Sequence, residues 1–107
     1  MSSSPERILV AEGDEVVLAL ISHILRRQGY WVDAALSAEQ ARQCLSEGSY
    51  AAIVIDSKLI DVVDRDGWMP RTILLSPREI SDFPVHTVIQ KPVEFGLLVD
   101  TVRKIIG

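Results

Sequence analysis

Five short apolar segments alternate with helix-like segments along the chain, and this order limits the fold more than any other feature. The strand-like segments are residues 7–11, 30–35, 51–56, 72–76 and 85–90. Each is too short for a stable helix, and each is apolar enough to be covered on both faces of a sheet. Strands that alternate with helices predict an α/β fold, in which a doubly wound parallel sheet is joined by right-handed crossovers.

Three segments have helical periodicity. In the first, Asp14 is a candidate N-cap and Gly29 a stop, and its apolar stripe is predicted at Val17, Leu20, Ile21, Ile24 and Leu25. The second starts at a capping box over residues 37–40 and stops at Gly48. In the closing helix the apolar stripe is Phe95, Leu98, Val99, Val102, Ile105 and Ile106.

Length and composition indicate one globular domain. The chain has 107 residues, and we expect a single domain over 1–107 with residues 1–6 as a flexible tail. The net charge of -4 opposes nucleic-acid binding, which normally needs a basic surface. No stretch is long and apolar enough for a signal peptide or a membrane span, so we expect a cytoplasmic protein with no membrane partner. The single cysteine, Cys44, is predicted to be a buried thiol.

Polar side chains follow four of the predicted strands. Glu12 follows the first strand, Asp56 ends the third, Ser76 ends the fourth and Lys91 follows the fifth. Since the carboxyl ends of parallel strands meet at one edge of the sheet, and function collects there, these four side chains are predicted to form a cluster.

The ordered segments "ILVAEGDE", "IVIDSKL", "ILLS" and "IQKP" resemble the receiver domains of bacterial response regulators, over essentially the whole chain. The resemblance implies a CheY-like, flavodoxin-like sheet of order 2-1-3-4-5. It also implies that Asp56 accepts a phosphoryl group from a histidine kinase or a phosphotransfer protein. It further implies that Lys91 and Ser76 contact the phosphoryl oxygens and that the Lys91-Pro92 peptide bond is cis.

The chemistry of this site normally depends on Mg²⁺. A carboxylate is a weak nucleophile, so attack on a phosphoramidate needs positioning and cations that neutralise the phosphoryl oxygens. The resemblance assigns the metal ligands to Glu12, Asp56 and the backbone carbonyl of Lys58. Gly13 stands where the family has a second acid, so a metal ligand is missing and Mg²⁺ is expected to bind weakly, or not at all.

Lys58 adds a cationic side chain beside the site. If it points inward, Glu12 and Asp56 are balanced by Lys58 and Lys91, and Mg²⁺ binding falls by several decades. If it points into solvent, this loss is smaller. The sequence leaves both orientations open.

Two connections are shorter than the family pattern. Residues 61–70 have no helical stripe, and "PREISDFP" allows only one or two helical turns, so the third and fourth helices are predicted to be shortened or lost. The position of the family's switch aromatic falls on Val88. Trp68 and Met69 are candidates either to pack over the uncovered sheet or to bind a partner.

The leading functional hypothesis is a stand-alone receiver that passes on its signal by protein contact. The alternative is a pseudo-receiver that binds proteins without phosphorylation, which Gly13 and Lys58 favour. An aspartate-nucleophile phosphatase normally needs a second acid two residues after Asp56, where Lys58 stands, so we expect no enzyme. Trp31, Val16 and Leu18 form a candidate apolar surface for a homodimer.

Overall fold

A single parallel sheet forms the centre of the molecule. The computed structural model describes residues 5–63, 67–79 and 83–107. The strands are β1 (Arg7–Ala11), β2 (Trp31–Ala35), β3 (Ala52–Asp56), β4 (Thr72–Ser76) and β5 (Thr87–Gln90). Their order is β2-β1-β3-β4-β5, and every neighbouring pair is parallel. The predicted doubly wound α/β architecture is therefore confirmed.

Within the described residues, two α-helices and two short 3-10 helices connect strands, and a third α-helix follows β5. The α-helices are α1 (Glu15–Arg27), α2 (Ala38–Glu47) and α3 (Phe95–Ile106). Between β3 and β4 the described residues form 3-10 helices at Ser57–Val62 and Met69–Arg71 and no α-helix, so the prediction of a shortened or lost third helix is confirmed for them. The predicted helical stub between β4 and β5 includes residues 80–82, which lie outside the described residues, as do residues 1–4 of the predicted tail.

The predicted caps account for the starts of α1 and α2. Asp14 Oδ1 accepts hydrogen bonds from the backbone N–H groups of Val16 and Val17, at 2.9 and 3.2 Å. Ser37 Oγ accepts the N–H of Gln40 at 3.2 Å. The side chain of Gln40 accepts the N–H of Leu36, one residue before the cap, so the capping box is closed one residue early.

The first face of the sheet is covered by α1 and α3. Its buried core includes Ile8, Val10, Leu18, Ile21, Leu25, Val54, Leu98 and Val102. The stripe predicted for α1 was partly wrong, because Leu18 is buried whereas Leu20 is 46% exposed. Leu18, Ile21 and Leu25 follow the i, i+3, i+7 spacing of one helix face, which places Leu18 in the core and removes it from the predicted dimer surface.

The second face is covered by α2 and the 3-10 segments. Its buried core includes Leu9, Ile53, Ile55, Ile60, Val63 and Leu74. Met69 is 2% exposed and Trp68 is partly buried against the same cluster, with its ring 6.1 Å from that of Tyr50. Met69 and Trp68 therefore fill the space left by the shortened connection, in agreement with the packing alternative. Cys44, predicted to be buried, is only half-buried beside them.

No helix within the described ranges is both long and apolar enough to span a membrane.

Candidate functional site

The ends of β1, β3 and β5 bring three charged side chains into contact. Lys91 Nζ lies 2.7 Å from Glu12 Oε1 and 2.6 Å from Asp56 Oδ1. Glu12 is 3% exposed and Asp56 is 4% exposed. One ammonium group therefore bridges two buried carboxylates that lie 44 residues apart along the chain (56 − 12).

The second oxygen of each carboxylate is held by the backbone. Glu12 Oε2 accepts the N–H of Asp14 at 3.2 Å, and Asp56 Oδ2 accepts the N–H of Lys58 at 3.2 Å. In both cases the donor lies two residues after the acceptor, which is the spacing of a side-chain-closed turn. Both carboxylates are therefore fixed in position before any ligand binds.

Lys91 is held from both its backbone and its side chain. Its peptide bond to Pro92 is cis, and its N–H donates to the carbonyl of Ser76 at 2.7 Å. Burial acts to lower the pKa of Lys91, but hydrogen bonds to Asp56 and Glu12 outweigh it, and the pKa is raised. The ammonium is therefore charged at neutral pH, and the three side chains carry one excess negative charge when both carboxylates are ionised.

Ser76 lies at the end of β4 and is fully buried. Its Oγ accepts the N–H of Arg78 at 3.3 Å, which repeats the two-residue spacing found at Glu12 and Asp56. Ser76 is bonded to Lys91 only through its backbone carbonyl. Its side chain thus closes the turn that leaves β4, and the hydroxyl can still donate its own hydrogen.

Gly13 and Lys58 are the departures from the receiver pattern that lie next to the predicted metal ligands, and both are exposed. A Cβ atom added at Gly13 would meet only the carbonyl oxygen of Leu36, at 3.8 Å, so the backbone leaves room for a side chain there. The Lys58 side chain forms no ion pair with any residue that the structure describes. Of the two orientations left open by the sequence, the structure has the one directed into solvent.

The residues at this site supply fewer Mg²⁺ ligands than the receiver pattern does. Two carboxylates, Glu12 and Asp56, remain and both bind Lys91, while the carbonyl of Lys58 lies within the 3-10 helix Ser57–Val62. Within the described ranges, no group of three or more His, Cys, Asp or Glu side chains is arranged to hold a metal. Mg²⁺ commonly binds through one or two carboxylates and keeps several waters, so these residues can hold it, but with one acid fewer than the receiver pattern supplies.

The position of the switch aromatic is occupied by Val88 on β5, which is partly buried against the second core.

Sequence reasoning missed the three turn contacts around the cluster. The backbone N–H groups of Asp14, Lys58 and Arg78 each bind the polar side chain two residues earlier. The sequence did contain a signal for these contacts. Each has an acidic or hydroxyl side chain two residues before a loop position, and such side chains favour turns of this kind.

Among the known proteins compared, solved structures support the fold more strongly than the curated sequence relative does. No family model matches the chain. Protein PetR from Rhodobacter capsulatus is 38% identical over 56 residues, which are 52% of this chain but only 24% of PetR. The chain therefore matches only about a quarter of the length of this curated relative.

Several solved structures match along nearly the whole chain. A sensor protein from Polaromonas is 26% identical, with 97% of each chain covered and a TM-score of 0.78. The receiver domain of the Francisella response regulator 1452 is 18% identical, with 94% of this chain and 96% of that chain covered and a TM-score of 0.83. The response regulator TrrA from Thermotoga maritima, solved in complex with Mg²⁺-BeF, is 21% identical, with 94% of this chain and 98% of that chain covered and a TM-score of 0.72.

Proposed function

We propose, from the premise that this chain has the CheY-like receiver fold of response regulators, that it serves in two-component signalling by accepting a phosphoryl group on Asp56. A histidine kinase or phosphotransfer protein is the proposed donor, and protein contact is the proposed output. The observation that carries the proposal is the buried Asp56 carboxylate held 2.6 Å from the Lys91 ammonium.

The reaction uses Asp56 as the nucleophile. An Asp56 carboxylate oxygen attacks the phosphorus of a phosphohistidine, the new P–O bond forms as the P–N bond breaks, and the imidazole leaves with its electron pair and is then protonated. In this proposal Lys91 neutralises negative charge on the phosphoryl oxygens, and Ser76 donates its hydroxyl hydrogen to one of them. Glu12, Asp56 and the Lys58 carbonyl would hold Mg²⁺, which supplies further neutralisation of the phosphoryl group.

The direct test is phosphorylation of the purified chain by phosphoramidate or acetyl phosphate with Mg²⁺. We expect intact-mass spectrometry to show one added phosphoryl group in the wild type and none in Asp56→Asn. Beryllofluoride with Mg²⁺ should shift backbone amide signals near Asp56 in the wild type but not in the variant. If neither change occurs at millimolar Mg²⁺, Asp56 is not a phosphoacceptor.

The second candidate is a phosphorylation-independent pseudo-receiver. It is favoured by Gly13, which removes an acid, and by Lys91, which already binds both remaining carboxylates. Under this alternative, Asp56→Asn retains partner binding and cellular activity. Loss of both in a variant that still folds would exclude it and support phosphorylation at Asp56.

A further inference from the structure

We propose that the edge of the sheet opposite Asp56, at the amino-terminal ends of the strands, binds an acidic peptide segment of a partner protein. The binding surface is a pair of adjoining depressions that we call the basic trough. Its charged lining consists of Arg7, Arg71 and Lys104, together with Glu6, and His86 also lines it. The proposal is separate from phosphorylation, because it concerns the opposite end of the molecule.

The two depressions form one continuous surface. Their volumes are about 500 Å³ and about 410 Å³, and both are lined by Glu6, Ala51 and Arg71. Each volume falls in the range of ordinary ligand sites. Arg71 thus stands between them, within reach of a ligand in either one.

Arg71 is held in place before a ligand arrives. Its Nη1 donates to the carbonyl of Tyr50 at 3.0 Å, and its guanidinium carbon lies 5.6 Å from the centroid of the Trp68 ring. The side chain is exposed, and it forms no ion pair with the described residues. An arginine that is already ordered loses less conformational entropy when it binds a carboxylate.

The charge of the trough is opposite in sign to that of the chain. The whole chain carries a net charge of -4. Asp33 neutralises Arg7, which leaves Arg71 and Lys104 as free cations against one acid, Glu6. An acidic ligand is therefore complementary in charge to this surface.

A peptide fits the lining better than a small oxyanion. A small anion site needs donors that converge on one point, whereas these cations are distributed over two depressions. The lining also has apolar residues, Pro5 in the first depression and Pro70, Ile105 and Ile106 in the second. Alternating acidic and apolar side chains in an extended segment would match both features.

The test uses the full-length, unphosphorylated chain and a fluorescein-labelled peptide of alternating Glu and Leu, with fluorescence anisotropy as the readout. We expect binding that weakens as salt is added, and a matched peptide with Gln in place of Glu that does not bind. Arg71→Gln should weaken binding about tenfold, and Glu6→Gln should tighten it about threefold, as expected when a surface charge is removed. Amide signals of Ala51 and Lys104 should shift during the titration.

Arg42→Gln is the matched control, since it removes the same charge from α2, outside the trough. Equal weakening by Arg42→Gln and Arg71→Gln would reduce the effect to net charge and overturn the proposal. Equal binding of the Gln peptide, or no peptide binding at millimolar concentration, would also overturn it. If inorganic phosphate shifts the same amides and the peptide does not, the trough is a small-anion site instead.

Discussion

Each of the two edges of the sheet has a cluster of carboxylates and hydrogen-bond donors, but the clusters differ in composition. One has more carboxylates than cations, and the other has more donors than carboxylates. At the carboxyl edge, one ammonium, Lys91, serves two buried carboxylates at 2.7 and 2.6 Å. Towards the amino edge, one carboxylate, that of Asp33 in the middle of β2, accepts three donors, two of which come from the first residues of β1 and β2. These are Arg7 Nη2 at 2.6 Å, the Tyr50 hydroxyl at 2.8 Å and Trp31 Nε1 at 3.2 Å.

This difference separates a structural cluster from a reactive one. Burial acts to raise the pKa of Asp33, but hydrogen bonds from Tyr50, Arg7 and Trp31 outweigh it and lower the pKa. Burial and the hydrogen bond to Asp33 raise the pKa of Tyr50. Asp33 thus has hydrogen-bond donors at both carboxylate oxygens and a cation that balances its charge. Glu12 and Asp56 share one cation, so they can accept another positively charged or electrophilic group.

The largest expected effect is at Lys91. Lys91→Met leaves Glu12 and Asp56 buried beside each other without a cation. We expect the free energy of unfolding at pH 7, measured by urea titration, to fall by about 3 kcal/mol, because breaking a buried ion pair leaves an uncompensated charge.

The control for this prediction neutralises the two acids as well. Lys91→Met combined with Glu12→Gln and Asp56→Asn should recover much of the lost stability. If Lys91→Met alone costs less than about 1 kcal/mol, the two carboxylates do not depend on the ammonium as proposed.

A smaller loss is expected at the amino edge. Asp33→Asn removes the charge that Arg7, Tyr50 and Trp31 share, and should lower the free energy of unfolding by about 2 kcal/mol at pH 7. Tyr50→Phe, which removes only one of the three donors, should cost about 1 kcal/mol. Equal stability of wild type and Asp33→Asn would show that this cluster contributes nothing to the fold.

Acid should remove the stabilising effect of Asp33. Because the pKa of Asp33 is lower in the folded state, its contribution is present above the unfolded value of about 3.9 and is lost as the pH falls through the folded value. The stability difference between wild type and Asp33→Asn should therefore be constant from pH 7 to about pH 5 and narrow at lower pH. A difference that widens in acid would contradict the lowered pKa.

The alternation of strands and helices was predictable because apolar runs and caps are local signals. The choice of buried face on α1 was not, since apolar residues at 16–18, 20, 21, 24 and 25 surround most of the helix. Packing against the sheet decides which face of α1 is buried, and it places Leu18 in the core and leaves Leu20 exposed. The fifth strand was predicted to start at residue 85, two residues before β5 begins. Val85 and His86 continue the strand-like pattern but precede the residues that pair with β4.

The strand-end rule placed Glu12, Asp56 and Lys91 at one edge without any knowledge of their contacts. It could not predict that Lys91 bonds both acids or that Lys58 points outward, because these depend on side-chain conformation and not on spacing. The Asp33 cluster gave no advance signal, since its partners come from three separate segments of the chain.

An effect smaller than those expected at Lys91 and Asp33 is expected at Gly13, at the carboxyl edge of the sheet. A Cβ atom at Gly13 would make only an ordinary contact with the Leu36 carbonyl oxygen, so Gly13→Asp adds an acid next to Glu12 without a backbone clash. An additional carboxylate near the cation should tighten Mg²⁺ binding by about tenfold or more, which corresponds to about 1.4 kcal/mol. The affinity can be measured by following amide shifts near Asp56 during an Mg²⁺ titration. Gly13→Asn, which has the same size but no charge, should leave the affinity close to that of the wild type. If both variants bind Mg²⁺ like the wild type, the missing acid is not what limits the metal at this edge, and the Lys91 bridge to both carboxylates is the remaining cause.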